Sequence, residues 1–133
     1  MLVQIDVRSK THEEMIDITA KVRTAVHESE ISEGRVTLFV PHTTAAVTIN
    51  ENADPTVKKD MLFSLAKISP DLQEFRHLEG NSDAHVKSSL IGCSQDILIS
   101  NGELVLGTWQ GIYLCEHRNH GGSRKLVLTL QGE

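Results

Sequence analysis

The sequence has few cysteines, few prolines and no excess of positive charge, and each shortage excludes a class of protein. Two cysteines, Cys93 and Cys115, are too few for a disulfide scaffold and too far apart for a Cys-x-x-Cys motif. We therefore expect both to be small buried or interfacial residues. Thirteen basic residues stand against eighteen acidic ones, for a net charge of −5, so the chain lacks the broad basic surface that nucleic-acid binding requires. The three prolines are scattered and mark no linker.

Long apolar segments are also missing. No apolar run reaches the roughly 18 residues that a membrane-spanning helix needs. Charged residues interrupt the apolar stretch at the start of the chain, so nothing there resembles a signal peptide. We therefore expect a cytoplasmic protein with neither a membrane nor a nucleic-acid partner. With 133 residues and a composition close to that of ordinary soluble proteins, the chain is expected to form one compact domain, 1–133.

Apolar periodicity and turn residues predict most of the strands. Alternating apolar and polar residues over 3–8 indicate a half-exposed strand. The pair Asn101-Gly102 suits the positive φ angles of a tight hairpin turn. Further strands are predicted at 35–40, 44–50, 97–99, 104–106, 108–116 and 124–130.

Helical spacing appears three times. The first helix has apolar residues at Ile18, Val22, Ala25 and Val26 and is predicted to end near Gly34. The second begins at Asp54-Pro55, because the carboxylate can cap free backbone donors and proline fits the first turn; its buried stripe is expected at Val57, Met61, Leu62 and Leu65. The third is expected to face the core through Val86, Leu90 and Ile91, up to Gly92. This order of elements predicts an α+β fold, a largely antiparallel or mixed β-sheet sandwich with two to three helices.

The first candidate site segment is 41–52. Counted as a strand, it places one set of polar side chains on a common face, namely His42, Thr44, Thr48, Asn50 and Asn52. The opposite face carries Ala45, Val47 and Ile49. The polar face is either the wet side of an antiparallel sheet or a binding surface. Its neutral donors and acceptors, without lysine or glutamate, favour binding.

The second candidate segment is 76–87. His77 lies in a predicted loop and His85 in the first turn of the next helix, so a short connection can bring both imidazoles to one point. Neutral imidazole is a common ligand of zinc and other transition metals, although histidines at this spacing are also frequent on protein surfaces. The helix start at Gly80, Asn81 and Ser82 can alternatively hold a phosphate. Lys87 adds a positive charge there, or is simply a solvated lysine.

The third candidate segment is 107–117. It contains the only tryptophan of the sequence, Trp109, which lies between Gly107 and Gly111. Gln110 and Glu116 share the parity of one strand face. Glu116 lies in an apolar stretch and is therefore unlikely to be unpaired; it can bind metal, act as a base or form a salt bridge with Arg124. His117 and His120 have the separation of metal ligands, but a flexible polar loop is the simpler interpretation.

Three stretches together resemble the YjbQ family, also called UPF0047, in the same order and over essentially the whole chain. They are 42–55, 80–87 and 106–112. The resemblance implies an α+β fold, usually a homotrimer, with a polar pocket between neighbouring subunits. It also implies a metal-binding cluster onto which His42, His77 and His85 map. Where the family often carries Asp-Gly-Pro-Arg, this chain keeps Arg124 but has a different preceding turn.

The resemblance further implies a secondary thiamine-phosphate synthase activity, which joins a pyrimidine diphosphate to a thiazole phosphate with loss of pyrophosphate. We therefore predict an enzyme acting on a small phosphorylated metabolite, with a divalent metal, zinc or magnesium, as cofactor. The predicted catalytic residues are Glu51, Lys87 and Glu116, and the predicted substrate-binding residues are Thr44, Asn50, Asn52, Asn81, Gln110 and Arg124. The alternatives are a metal-dependent hydrolase, with Glu116 or Glu51 as base, and a non-catalytic ligand-binding protein.

Overall fold

The structure is a computed structural model, and it describes residues 2–10 and 13–133. Within these residues it contains eight strands and three helices. In chain order they are β1 (Leu2–Ser9), β2 (Glu14–Asp17), α1 (Thr19–Ser29), β3 (Gly34–Phe39), β4 (Ala45–Glu51), α2 (Pro55–Ile68), α3 (Ser82–Ile91), β5 (Ser94–Ser100), β6 (Glu103–Leu104), β7 (Gln110–Glu116) and β8 (Gly122–Gly132). None of these helices is both long enough and apolar enough to cross a membrane.

The strands form two antiparallel sheets. The larger has the order β1-β8-β3-β5-β6, and the smaller has β7 between β2 and β4. The main core contains side chains from both sheets and from α1, including Leu38, Leu114, Leu126 and Val22. The predicted α+β fold with largely antiparallel sheets is confirmed.

The smaller sheet is covered on both faces. One face of β4 contributes Ala45 and Val47 to the main core. From the other face, Ala46 and Cys115 pack with α2 and α3 in a second apolar cluster. The central strand β7 is consequently buried from Gly111 through Glu116. The predicted two-sided character of β4 is thus confirmed, but part of its expected wet face lies under two helices.

Several predicted local signals are present. Asp54 caps α2, since its side chain accepts a hydrogen bond from the Thr56 backbone N–H at 2.9 Å. Asn101 and Gly102 have φ angles of 53° and 74°, which lets them close the hairpin between β5 and β6. The first helix ends earlier than predicted, at Ser29, because Glu30 takes a left-handed conformation with φ 60°.

The predicted buried faces of the two later helices needed correction. No residue of α2 is fully buried, and its apolar stripe is only half-covered. In α3, Val86 is 42% exposed and Leu90 60% exposed, so the prediction that they face the core is wrong. The buried positions are Asp83, Ala84 and Lys87, which share a face at helical spacing. An ion pair allows this face to be buried, and apolar periodicity alone cannot detect it.

Candidate active site

His42 lies in the loop between β3 and β4, where it is half-buried. Its Nε2 accepts a hydrogen bond from the backbone N–H of Lys125, with 2.8 Å between the nitrogens. Burial lowers the pKa of His42, and the positive charges of Arg124 and Arg118 lower it further. Because a ring nitrogen that accepts a hydrogen bond carries no proton, the imidazole is in its neutral form.

His77 and His85 lie next to each other. Their ring centroids are 5.3 Å apart, and the rings meet edge to face at 84°. Ser88 attaches α3 to the loop that carries His42, because its hydroxyl donates to the Thr43 carbonyl at 2.6 Å. A cavity of about 430 Å³ lies between these parts, and His42, His85 and Cys93 contribute to its lining. Folding thus places two of the predicted imidazoles in contact and the third on a cavity shared with His85.

The donor atoms of one chain can be compared with the predicted metal site. In residues 2–10 and 13–133, no three His, Cys, Asp or Glu side chains come close enough together to hold a metal ion. His77 and His85 provide two adjacent imidazoles, but Nε2 of His42 already accepts a backbone N–H. The described residues of one chain therefore do not complete the predicted three-histidine metal site.

Glu116 ends β7 and is fully buried. It accepts hydrogen bonds from Arg124 Nε at 2.7 Å, from the Ser9 hydroxyl at 2.8 Å and from the Arg118 backbone N–H at 3.0 Å. Burial by itself raises the pKa of Glu116, but these hydrogen bonds outweigh it and lower the pKa to about 2. The carboxylate is therefore a weak base, and of the three roles considered for it the salt bridge with Arg124 is the one formed.

Arg124 connects this carboxylate to the start of β4. Its Nη2 donates to the Thr44 carbonyl at 3.0 Å and to the Thr44 hydroxyl at 2.8 Å. Both residues are almost completely buried. Thr44 and Arg124 also line a second cavity of about 490 Å³, together with His42, Thr43 and Cys93. The two predicted substrate-binding residues are thus neighbours at the same end of the smaller sheet.

Lys87 is buried, so its interpretation as a solvated lysine is wrong. Only 2% of the residue is exposed. Its ammonium group pairs with Asp83 at 3.4 Å and with Glu13. Because Asp83 lies in the first turn of α3, its negative charge disfavours a phosphate at this helix start. Asn81, just before the helix, does not cap it with its side chain, and no described residue hydrogen-bonds its buried Oδ1.

His117 is the residue that sequence reasoning missed. It is 1% exposed, although it lies in the connection between β7 and β8. No described residue hydrogen-bonds either of its ring nitrogens. Burial lowers the pKa of His117 to about 4, with a further contribution from the charge of Lys87. Its position directly after the buried run of β7 was the signal for burial.

The remaining predicted residues lie at the opposite end of the smaller sheet. In the register of β4 with β7, Ala45 pairs with Glu116 and Glu51 pairs with Gln110. The six residue steps between them, at roughly 3.3 Å each, separate the two ends by about 20 Å. The residues at this far end are Asn50, Glu51, Asn52 and Gln110.

The far end has a cleft of its own, of about 480 Å³, lined partly by Asp17, Arg23, Asn52 and Gln110. The Asn52 side chain donates to Asp17 at 3.3 Å, and Gln110 accepts the Gly107 backbone N–H at 2.7 Å. Gly111 is needed here, because a Cβ at that position would lie 2.3 Å from Asn52 Nδ2. One chain therefore divides the predicted site residues between two separate places.

The fold and the site describe a small α+β protein with a histidine-lined cavity at one end of a doubly covered sheet. The profile of the family described as "UPF0047 protein YjbQ-like" matches residues 3–133, and the chain belongs to this family. A UPF0047 protein of Methanocaldococcus jannaschii is 51% identical over 116 residues, covering 87% of this chain and 84% of the relative. The YugU protein of Bacillus subtilis is 50% identical, covering 87% and 89%.

Solved structures agree with this assignment. A YjbQ/UPF0047 family protein from Clostridium acetobutylicum is 46% identical, with a TM-score of 0.93 over 97% of this chain and 99% of the other. A protein from Aeropyrum pernix K1 is 30% identical and also has a TM-score of 0.93, over 100% and 99% of the two chains. The family resemblance seen in the sequence is confirmed.

Proposed function

We propose that the chain is a small enzyme that acts on a phosphorylated metabolite at the histidine-lined end of the smaller sheet. The observation that carries this proposal is the convergence of three separate sequence segments. The loop with His42, the helix with His85 and the strand end with Arg124 meet around two neighbouring cavities. Such gathering of polar groups on a concave surface is typical of ligand sites.

The local charge favours an anionic ligand. Two guanidinium groups, from Arg118 and Arg124, flank the single carboxylate of Glu116. These three groups leave one net positive charge close to His42. Burial is the main cause of the lowered pKa of His42, and the charges of Arg124 and Arg118 lower it further. Arginine forms strong, oriented hydrogen bonds with phosphate oxygens. A phosphate or diphosphate group is therefore a suitable ligand for this end of the sheet.

The most concrete form of the proposal is thiamine-phosphate synthesis. The thiazole ring nitrogen forms a bond to the methylene carbon of the pyrimidine, and the bond from that carbon to the diphosphate oxygen breaks. The electron pair leaves with pyrophosphate, and no proton has to be removed. The low basicity of Glu116 is compatible with this step, and positive charge near the leaving group assists it.

The amide side chains at the far end of the smaller sheet can take part in the proposed reaction only if several chains assemble. Asn50, Asn52 and Gln110 are suited to orienting a heterocycle, and Glu51 lies beside them, but they are about 20 Å from Glu116 along the same strand pair. We propose that a homotrimer brings the far end of one chain near the histidine end of the next. Lys87, held between two carboxylates, then serves to fix α3 and is not expected to reach substrate.

We keep a divalent metal, zinc or magnesium, in the proposal, but with fewer ligands from this chain than the three predicted histidines. His77 and His85 are the two candidate ligands in this chain, and the remaining ligands have to come from a neighbouring chain or from phosphate oxygens. A bound divalent ion supplies positive charge to a phosphate group. The residues described above bind and orient the substrate whether or not that ion is present.

The test is a direct activity assay. Purified protein is incubated with the pyrimidine diphosphate, the thiazole phosphate and Mg²⁺, and thiamine phosphate is measured. We expect turnover in the wild type, a large loss in His85→Ala and no loss in His27→Ala, since His27 is an exposed residue paired with Glu103. No turnover in the wild type, or equal turnover in His85→Ala, would remove the proposal.

A further inference from the structure

The hydrogen bond between Lys125 and His42 determines the protonation of the imidazole. Strand β3 ends at Phe39, which pairs with Val127 of β8. The N–H of Lys125 lies just beyond that last pair and is accepted by Nε2 of His42 at 2.8 Å. A nitrogen that accepts a hydrogen bond cannot itself carry a proton. The neutral ring must therefore hold its proton on Nδ1.

This tautomer changes what His42 can do. Metal ions bind imidazole through an unprotonated nitrogen with a free lone pair. In His42, the lone pair of Nε2 accepts the Lys125 N–H and Nδ1 carries the hydrogen. We propose that His42 donates a hydrogen bond from Nδ1 to a phosphate group of the substrate and is not a metal ligand. The ligand class rests on the proposed function, whereas the donor role rests on this hydrogen bond.

A second donor accompanies His42. Arg124 lines the same cavity of about 490 Å³. Its Nε and Nη2 are engaged by Glu116 and Thr44, but no described residue hydrogen-bonds its Nη1. The lining contains two threonines and no acidic residue among the described positions. An imidazole N–H and a guanidinium N–H, without a competing carboxylate on the wall, form a subsite for phosphate oxygens.

The tautomer can be measured in the wild-type protein, which avoids any question of a misfolded variant. Long-range ¹⁵N–¹H correlation spectra of histidine-labelled protein distinguish the two ring nitrogens, and the His42→Gln spectrum assigns them. We expect Nε2 to be unprotonated and Nδ1 to be protonated, and we expect the Nδ1 resonance to move when inorganic pyrophosphate is added. A protonated Nε2, or a Zn²⁺-induced shift showing coordination through either nitrogen of His42, overturns the inference.

Pyrophosphate binding provides the second measurement, by titration calorimetry. His42→Phe should weaken binding by about tenfold or more, the effect of losing one hydrogen bond to a charged group. His42→Gln should keep much of the affinity, because its amide can both accept from Lys125 and donate to the anion, whereas it would not restore a metal ligand. His27→Phe is the control and should bind as the wild type does.

The outcomes separate this inference from the proposed function. Absence of pyrophosphate binding in the wild type, or unchanged binding in folded His42→Phe protein, contradicts the donor role. If thiamine phosphate is not formed but the tautomer and pyrophosphate binding are as expected, the reaction is wrong and the phosphate subsite stands.

Discussion

The buried His117 makes a quantitative prediction about stability at acidic pH. Its pKa in the folded protein is about 4, below the ordinary value near 6.5 that applies to the unfolded chain. As pH falls, the unfolded chain therefore takes up the proton first. The contribution of neutral His117 to the free energy of unfolding is therefore fully present above about pH 6.5 and is lost as pH falls toward 4.

The size of the effect follows from the shift. The pKa of His117 is lower in the folded protein than in the unfolded chain by roughly 2.5. Protonating His117 therefore costs about 3 kcal/mol more in the folded protein than in the unfolded chain. Only part of this is lost before the folded histidine titrates, so lowering the pH from 7 to 5 should reduce the free energy of unfolding by about 2 kcal/mol through this residue. Glu116, with a pKa of about 2, loses its contribution only as pH falls from about 4.5 toward 2, which lies below this window.

The perturbation is His117→Phe, which keeps a ring at the position and removes the titrating group. We measure the free energy of unfolding with urea at pH 7 and at pH 5. Between these two pH values the variant should lose about 2 kcal/mol less of this free energy than the wild type does. At pH 7 the variant should be at least as stable, because no described residue hydrogen-bonds the ring nitrogens it loses. His27→Phe, at an exposed position, controls for histidine removal. Parallel pH dependences of wild type and His117→Phe would refute the reasoning.

Three other predictions concern the ion pair, the metal ligands and the close packing at the far end. Glu116→Gln should lower the free energy of unfolding by about 3–5 kcal/mol, because it leaves buried guanidinium charge unpaired. The control Glu103→Gln, at an exposed ion pair, should change this free energy by about 0.5 kcal/mol or less. Equal effects of the two variants in chemical denaturation contradict the salt-bridge interpretation. Zinc titration should show weaker binding in both His77→Ala and His85→Ala but not in His27→Ala, and a loss in only one of the pair argues against a shared site. Gly111→Ala should destabilise the fold by about 1–3 kcal/mol through overpacking against Asn52, whereas Gly107→Ala, which meets only the flexible Gln110 side chain at 3.3 Å, should have a smaller effect on the urea midpoint.

Much of the fold could be predicted because its signals are local. The alternation in β1, the Asn101-Gly102 turn and the Asp54 cap depend on residues a few positions apart. Each acts on the backbone of its own segment, so each is visible in the sequence without knowledge of the packing. The three polar segments could be found in the same way, by their composition.

The burial of polar groups could not be predicted in this manner. Lys87 was interpreted as solvated and His117 as part of a loop, yet both are almost completely buried. Lys87 pairs with Asp83, four residues earlier in α3, and also with Glu13, which is 74 residues away in the chain. For Glu116 the salt bridge with Arg124, eight residues away, was among the predicted roles, but the hydrogen bond from Ser9, 107 residues away, was not. Sequence periodicity carries no information about such partners.

The sequence by itself determined the family, the α+β class and the residue types available for chemistry, because these follow from local patterns and from motifs in a fixed order. The tertiary structure decided how those residues are grouped. The register of β4 against β7 sends Asn50, Asn52 and Gln110 to one end and Glu116 to the other. The hydrogen bond from Lys125 fixes the tautomer of His42. Both depend on strand pairing between distant segments, which is established only when the chain folds.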